Sequence, residues 1–285
     1  MHIRNPFEWL FAHSDPAAIG SARPAEYWPA RALRQTKPEA RKITLADLRD
    51  AIALGVRDFS ESRTDVLFVC LIYPIAAFFI AGADADGKLL PLLFPTASGF
   101  ALLGPFCAIG LYEMSRRREI TGQMRWLDVT GVIRSPSIGA IAGLGVLLIA
   151  LFLAWLVAAE GIYNITLGPR PPASTAAFLH AVLTTPHGWA MIALGVLVGA
   201  VFAVAVLAIS VVSFPLLLDR PVSLRTAIAT SLQALQRNPV PLLLWGLLVA
   251  VSLVVGALPI FIGLIVVLPV LGHASWHLYR KLIPS

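Results

Sequence analysis

Charged side chains are scarce in this sequence, and so are cysteines. Asp, Glu, Lys and Arg make up 13% of the 285 residues, whereas a water-soluble domain carries about 25%. The two cysteines, Cys70 and Cys107, both lie in apolar runs and are expected to pack as small hydrophobic groups. A typical soluble domain is therefore excluded, and a disulfide between the two cysteines is not expected.

The polar segments also lack catalytic motifs. They contain no glycine loop for phosphate, no zinc-type spacing of Cys and His, and no nucleophile elbow. Asp, Glu, Lys and Arg are nearly absent from the centres of the apolar runs, which disfavours an ion-coupled pump. We therefore expect that the protein is not an enzyme. The simplest interpretation of the sequence includes no cofactor.

Long apolar runs fill most of the chain. Hydrophobic residues make up 58% of it, and a membrane-crossing helix needs ~20 consecutive apolar residues. Six spans are predicted, at residues 66–82, 89–114, 137–159, 189–218, 240–257 and 259–279. The fourth is long enough that we expect it to tilt, bend near Pro215 or extend past the membrane. The predicted fold is an all-α polytopic membrane bundle over residues 43–285, after a flexible cytoplasmic tail at 1–42.

The basic residues are distributed unevenly around these spans. A six-span topology places 20 of the 22 Lys and Arg residues on one side, with Lys88 and Arg170 on the other. Because basic residues accumulate on the cytoplasmic side of membranes, both termini are predicted to be cytoplasmic. The net charge of +6 then indicates contact with anionic lipid headgroups rather than with nucleic acid.

Two segments suggest an internal repeat. LRDAIALGVRDF (48–59) aligns without gaps on LRTAIATSLQAL (224–235), and both are predicted amphipathic helices, capped by Thr44 and Ser223. The apolar stripes are Leu45, Leu48, Ile52, Val56 and Phe59 in the first, and Leu224, Ile228, Leu232 and Leu235 in the second. Residues 124–133 form a weaker counterpart. The sequence thus favours three pseudo-repeated hairpins, each preceded by a cytoplasmic amphipathic helix, although an accidental match of such helices is the alternative.

Three further passages carry a family resemblance. DLRDAIALGVRDF, GPFCAIGLYEMSRRREITG and GHASWHLYRKL resemble a bacterial family of predicted integral membrane proteins catalogued as a domain of unknown function, over about residues 43–282. The resemblance implies a location in the bacterial inner membrane. Some members are labelled as cytochrome c oxidase subunit I, but only His273 and His277 of the six histidines lie in a predicted span. A catalytic oxidase core needs several buried histidine ligands, so this label does not indicate a catalytic subunit here. It leaves a haem-linked accessory role as a hypothesis.

His273 and His277 are one helical turn apart in the sixth span, a spacing that suits haem or metal ligation. The alternative is hydrogen bonding between helices, beside the aromatic and basic membrane anchor of Trp276, Tyr279 and Arg280. Both interpretations remain open from the sequence.

Glu113 closes the second span next to a run of arginines. It is a candidate for a proton path, and the simpler interpretation is an ion pair with those arginines. The candidate contacts for an anionic lipid or a partner protein are Arg116, Arg117, Arg118, Arg280 and Lys281.

Three functions remain. The leading one is a non-enzymatic scaffold or an accessory or assembly factor for a membrane complex. The second is a small-molecule or lipid transporter with an interior lined by Tyr73, Ser210 and Ser213, with Glu113 as a further polar group. The third is a haem-linked accessory factor of a respiratory oxidase.

Overall fold

The computed structural model describes residues 38–70, 90–123, 126–170, 172–259 and 262–284. Within these ranges the chain forms helices and turns but no strand, which confirms the predicted all-α class. Most of the predicted tail and most of the first predicted span lie outside the described residues. Tyr73, one of the candidate interior residues, also lies outside them.

The described ranges contain eleven α-helices and one 3-10 helix. In chain order the α-helices are α1 Leu45–Cys70, α2 Leu90–Leu102, α3 Gly104–Cys107, α4 Ile109–Thr121, α5 Ile138–Thr166, α6 Thr175–Thr184, α7 Pro186–Ser210, α8 Ser213–Asp219, α9 Leu224–Arg237, α10 Pro239–Ala257 and α11 Leu264–Leu282. The 3-10 helix Trp126–Arg134 lies between α4 and α5.

Three helical segments are long and apolar enough to cross a membrane. They are α5, the stretch Pro186–Asp219 formed by α7 and α8, and α10. These segments correspond to the third, fourth and fifth predicted spans. Within the described residues the count of membrane-crossing segments is therefore three, and the predicted total of six stays a prediction.

The predicted second and sixth spans differ from the helices observed there. The second is divided among α2, α3 and α4, because Pro105 has no N–H with which to continue the hydrogen bonding of α2. Moreover, α4 continues beyond the predicted end at residue 114 to Thr121. The second half of α11 carries His273, His277 and two basic residues, so α11 as a whole is not apolar enough to count as a membrane-crossing helix.

Local breaks in the helices fall where the sequence predicts them. The fourth span is interrupted at residues 211–212, just before Pro215. The last apolar run divides between Ala257 and Leu264, where a Cβ placed on Gly263 would lie only 2.8 Å from the backbone of Gly256. The end of α10 and the residue before α11 thus approach each other closely at these two glycines.

The predicted amphipathic helices form, but the faces that they bury overlap only in part with the predicted stripes. In α1, Leu45 is 51% exposed and Val56 is 48% exposed, although both belong to the predicted apolar stripe. The buried positions of α1 are Leu48, Ala51, Gly55 and Asp58, and those of α9 are Ala227, Thr230, Ser231 and Ala234. All four buried positions of α9 and two of the four in α1 are small residues, which let neighbouring helices approach closely.

α1 packs antiparallel against α11, and this is the most extensive helix contact in the described structure. At its centre a Cβ on Gly55 would lie 2.6 Å from the Cβ of Ala274. On its other side, Gly272 of α11 lies directly against Leu111 of α4. α11 is therefore held between α1 and α4, and the core extends from its second half onto α8.

Candidate functional site

A buried hydrogen-bond network joins α1, α4 and α11. The Oγ of Ser115 donates to Oδ2 of Asp58 at 2.7 Å, and Nε2 of His277 lies 2.9 Å from the same oxygen. The Nδ1 of His273 lies 2.8 Å from the Ser115 Oγ. We call these four residues the histidine network. It includes both histidines predicted to be ligands, together with two residues that the sequence did not single out.

The hydrogen bonds of the histidine network determine which imidazole nitrogens carry a proton. Ser115 has one hydroxyl hydrogen, and an ionised Asp58 accepts it, so Nδ1–H of His273 must donate to the serine oxygen. Nε2–H of His277 donates to Asp58. Both rings thus use one N–H to hold the carboxylate of α1 against α4 and α11, directly or through Ser115.

Asp58 is 3% exposed and is stabilised as a charged group. Burial alone raises the pKa of its carboxyl, but hydrogen bonds from His277 and Ser115 outweigh burial and hold the pKa below its ordinary value. Arg118 also contacts both Asp58 and Glu61, which adds a cation on the α4 side. The carboxylate of Asp58 is therefore held by Ser115, His277 and Arg118 together.

The geometry limits what the two histidines can bind. His277 Nε2 and His273 Nδ1 are both engaged, whereas Nε2 of His273 is buried and makes no hydrogen bond within the described structure. The described residues assemble no group of three or more His, Cys, Asp or Glu suited to a metal ion. Haem or metal ligation by the pair stays a prediction, because it would have to use Nε2 of His273, which is buried, together with Nδ1 of His277, whose other ring nitrogen contacts Asp58.

Ser115 resembles a nucleophile in its contacts but not in its exposure. It is hydrogen-bonded to both a carboxylate and an imidazole, yet it is only 2% exposed. A substrate cannot reach its hydroxyl while α1, α4 and α11 remain packed. The arrangement holds the three helices together.

Glu113 forms a buried ion pair with the arginines that follow it. Its carboxylate accepts from Nε and Nη2 of Arg116 at 2.6 and 2.9 Å, and from Nε of Arg117 at 2.8 Å. Glu113 is fully buried, and it packs against Gly131 of the 3-10 helix. Its nearest groups are thus two guanidinium groups that fix its position.

The five basic residues predicted to contact lipid or a partner all form ion pairs within the chain. The pairs are Arg116 and Arg117 with Glu113, Arg118 with Asp58 and Glu61, Arg280 with Glu119 and Asp219, and Lys281 with Asp47 and Asp50. We call this set of ion pairs the charged layer. Arg116 is 1% exposed, so it cannot face a lipid headgroup in this structure.

The predicted aromatic anchor also lies inside the protein. Trp276 and Tyr279 are fully buried, with ring centroids 5.3 Å apart. The Tyr279 hydroxyl donates to Asp219 at 2.6 Å, and the Trp276 indole donates to Glu119 at 3.3 Å. These aromatic residues therefore support the charged layer rather than the membrane surface, because α8 and α4 cover them.

The segment before α1 is hydrogen-bonded to Asn238 and to the end of α11. The side chain of Asn238, between α9 and α10, accepts from the Ile43 amide at 2.8 Å and donates to the Arg41 carbonyl at 2.9 Å. The Arg41 amide donates to the Leu282 carbonyl at 2.9 Å. Residues 41–43 thus connect the starts of α1 and α10 with the end of α11.

Two of the candidate transporter residues, Ser210 and Ser213, use their hydroxyl groups in hydrogen bonds to carbonyl groups four residues earlier in the chain. The hydroxyl of Ser210 donates to the Val206 carbonyl, and that of Ser213 donates to the Ile209 carbonyl, each at 2.6 Å. Both serines are buried at the break between α7 and α8. Their hydroxyl hydrogens are therefore not directed at a solute.

Sequence reasoning missed Asp58, Ser115, Asp219 and Asn238. The signal for Asp58 was its helical spacing from Ala51 and Gly55, small residues that mark a close helix contact. Asp219 and Asn238 are polar residues at helix ends, and nothing local in the sequence distinguishes their long-range partners.

The apolar helices and their exposed surfaces define an integral membrane protein. Residues 93–219, a little under half of the chain, match a family described as "Predicted integral membrane protein (DUF2189)". The match confirms the family resemblance predicted from the sequence. No curated protein and no solved structure matches the chain.

Proposed function

We propose that this chain is a scaffold or an accessory or assembly factor that binds a partner protein within the bacterial inner membrane, and that it is not an enzyme. The proposed topology has six spans, in three hairpins with both termini in the cytoplasm. The outward surface of α7 is the observation that carries the proposal. The most apolar stretch of Pro186–Asp219 is only 6% buried within the protein.

A smaller fraction of this stretch is buried than of the other two membrane-crossing segments in the described residues. The corresponding stretches of α5 and α10 are 28% and 17% buried. On α7 the exposed large apolar side chains are Trp189, Leu194, Val196, Leu197, Val201 and Val204. Lipid tails are as apolar as these side chains, so exposure alone does not distinguish lipid from protein as the neighbour. Because the described residues cover so little of α7, its surface can nevertheless bind a partner without disturbing the core.

The charged layer supports a structural role. Its ion pairs connect α1, α4, α8 and α11, and the carboxylates of Asp58 and Glu113 are buried within it. A buried charge that loses its partner costs about 3–5 kcal/mol. The layer therefore holds these helices in one arrangement and presents the membrane helices as a fixed surface.

The burial pattern supports the proposed repeat. When α1 and α9 are aligned as LRDAIA on LRTAIA, the equivalent pairs Ala51 and Ala227, and Gly55 and Ser231, are buried in both. The equivalent Val56 and Leu232 are exposed in both. Two helices that bury and expose equivalent positions are expected from a duplication. One difference is that α1 continues to Cys70, whereas α9 ends before Asn238.

Purification of the full chain in a mild detergent tests this function. The expected result is one partner protein at constant stoichiometry, identified by mass spectrometry, with no absorption in the Soret region. A Soret band that is lost in His273→Ala with His277→Ala would instead support the haem-linked role. Solute flux into vesicles by the partnerless protein would support a transporter and contradict the scaffold.

A further inference from the structure

An apolar cleft opens between α4, the 3-10 helix and the start of α5. Its volume is about 310 Å³, which is at the lower end of the ~300–1,000 Å³ range of small-molecule sites. Thr130 is its one polar lining residue. The apolar lining includes Ile109 of α4, Val129, Val132 and Ile133 of the 3-10 helix, and Ile138 and Ala142 of α5.

The cleft lies beside the start of a helix that can cross the membrane. Ile138 and Ala142 belong to the first turns of α5, a helix long and apolar enough to cross a membrane. The cleft therefore lies where that helix leaves the hydrocarbon region. The apolar molecule that is abundant at this depth is a lipid acyl chain.

The charges next to the cleft favour an anionic headgroup. Arg134 lies in the chain between the lining residues Ile133 and Ile138; it is exposed and has no ion-pair partner within the described structure.

Asp128 is the acidic residue of the 3-10 helix, and it lies in the first turn whereas Arg134 is the last residue. Six residues of such a helix extend about 12 Å. The carboxylate is therefore at the opposite end of the helix from the guanidinium of Arg134. The end of the helix nearest α5 is the positive one.

We propose that this cleft is a binding site for an anionic phospholipid. One acyl chain occupies the apolar cleft, and the phosphate lies beside Arg134. The site is distinct from the arginines of the charged layer, which are engaged by carboxylates of the chain itself. It also does not depend on the scaffold function, because a transporter with this cleft would bind the same lipid.

Native mass spectrometry of the purified full chain tests the site, with phosphatidylglycerol or phosphatidylcholine added in increasing amounts. The wild type is expected to bind phosphatidylglycerol more tightly than phosphatidylcholine. Arg134→Gln should weaken phosphatidylglycerol binding roughly fivefold, the value of one basic residue at an anionic surface, and leave phosphatidylcholine binding unchanged. Ala142→Phe, which fills the cleft, should weaken the binding of both lipids. Inorganic phosphate should not displace either.

Two matched variants serve as controls. Arg49→Gln removes an exposed arginine from α1, and Ala154→Phe places the same bulky ring on an exposed position of α5, about 18 Å from residue 142 along the helix. Both should bind lipid as the wild type does. Equal affinity of the wild type for the two lipids, unchanged binding in Ala142→Phe, or an equal loss in Arg49→Gln and Arg134→Gln would each overturn the proposal.

Discussion

Asp58 is the residue on which the polar contacts between α1, α4 and α11 converge. Its carboxylate accepts hydrogen bonds from Ser115 and His277 and contacts Arg118, although it is only 3% exposed. A buried carboxylate is stable only while such partners remain, because water cannot replace them. At the scale of single residues, Asp58 should therefore matter more for stability than any exposed acidic residue of α1.

Replacing Asp58 with Asn should lower the free energy of unfolding by about 2 kcal/mol, since hydrogen bonds to a charged group contribute ~1.5–3 kcal/mol. Unfolding in detergent, by heat or by a denaturing detergent, measures the change. Asp50→Asn is the matched control, because the Asp50 side chain is 62% exposed. Equal losses in the two variants would show that the histidine network contributes nothing.

Acid should weaken the same contact. The pKa of Asp58 is lower in the folded protein than its ordinary value of ~3.9. A carboxyl with a lowered folded pKa stabilises the fold above its unfolded pKa, and this stability is lost as the pH falls through the folded pKa. The wild type should therefore lose stability below about pH 4 more steeply than Asp58→Asn does. Parallel pH profiles for the two proteins would contradict this assignment.

At the scale of helices, the antiparallel packing of α1 on α11 depends on Gly55. A Cβ at this position would meet both the backbone nitrogen and the Cβ of Ala274 at 2.6 Å. Real side chains do not approach so closely, so any larger residue must push the two helices apart. The histidine network lies one turn away and would be pulled apart with them.

Gly55→Ala should therefore destabilise the protein by about 1–3 kcal/mol, the usual cost of overpacking. Gly161→Ala in α5 is the matched control, since its added Cβ meets nothing within 4 Å. That change should be neutral or slightly stabilising, because alanine favours a helix over glycine by up to about 1 kcal/mol. Thermal unfolding of both variants in one detergent gives the comparison, and a stable Gly55→Ala would show that the contact is looser than described.

The sequence predicted helix breaks better than helix pairing. The interruption before Pro215, the end of α9 at Asn238-Pro239 and the turn after Ala257 all follow from local chemistry. The face that α1 buries could not be predicted from its apolar stripe, because it is determined by a partner helix more than 200 residues away. The two histidines were recognised as a pair, but their partners Asp58 and Ser115 lie on other helices, and so that network was missed.

At the scale of the whole molecule, two regions differ in packing. The charged layer and the second half of α11 are buried and rich in ion pairs, whereas α5, α7 and α10 expose most of their apolar surface. The first region holds the helices together, and the second faces the membrane.

The proposed topology predicts the side on which three positions are labelled. Single cysteines at Glu39, Arg170 and Pro284, in a chain without Cys70 and Cys107, are treated with a membrane-impermeant thiol reagent in intact cells and in inverted vesicles. Positions 39 and 284 should react only in inverted vesicles, and position 170 only in intact cells. Labelling of positions 170 and 284 from one side would contradict six spans.

The central claim is that the outward surface of α7 binds a partner protein. Photo-crosslinking in living cells tests it most directly, with a photoreactive residue at Val196 or Val201, which are 62% and 64% exposed. Phe202 is the matched control, because its ring packs 5.8 Å from that of Trp155. The claim predicts one saturable protein adduct of the same identity from Val196 and Val201, and none from Phe202. Adducts with lipid alone from both exposed positions would contradict it.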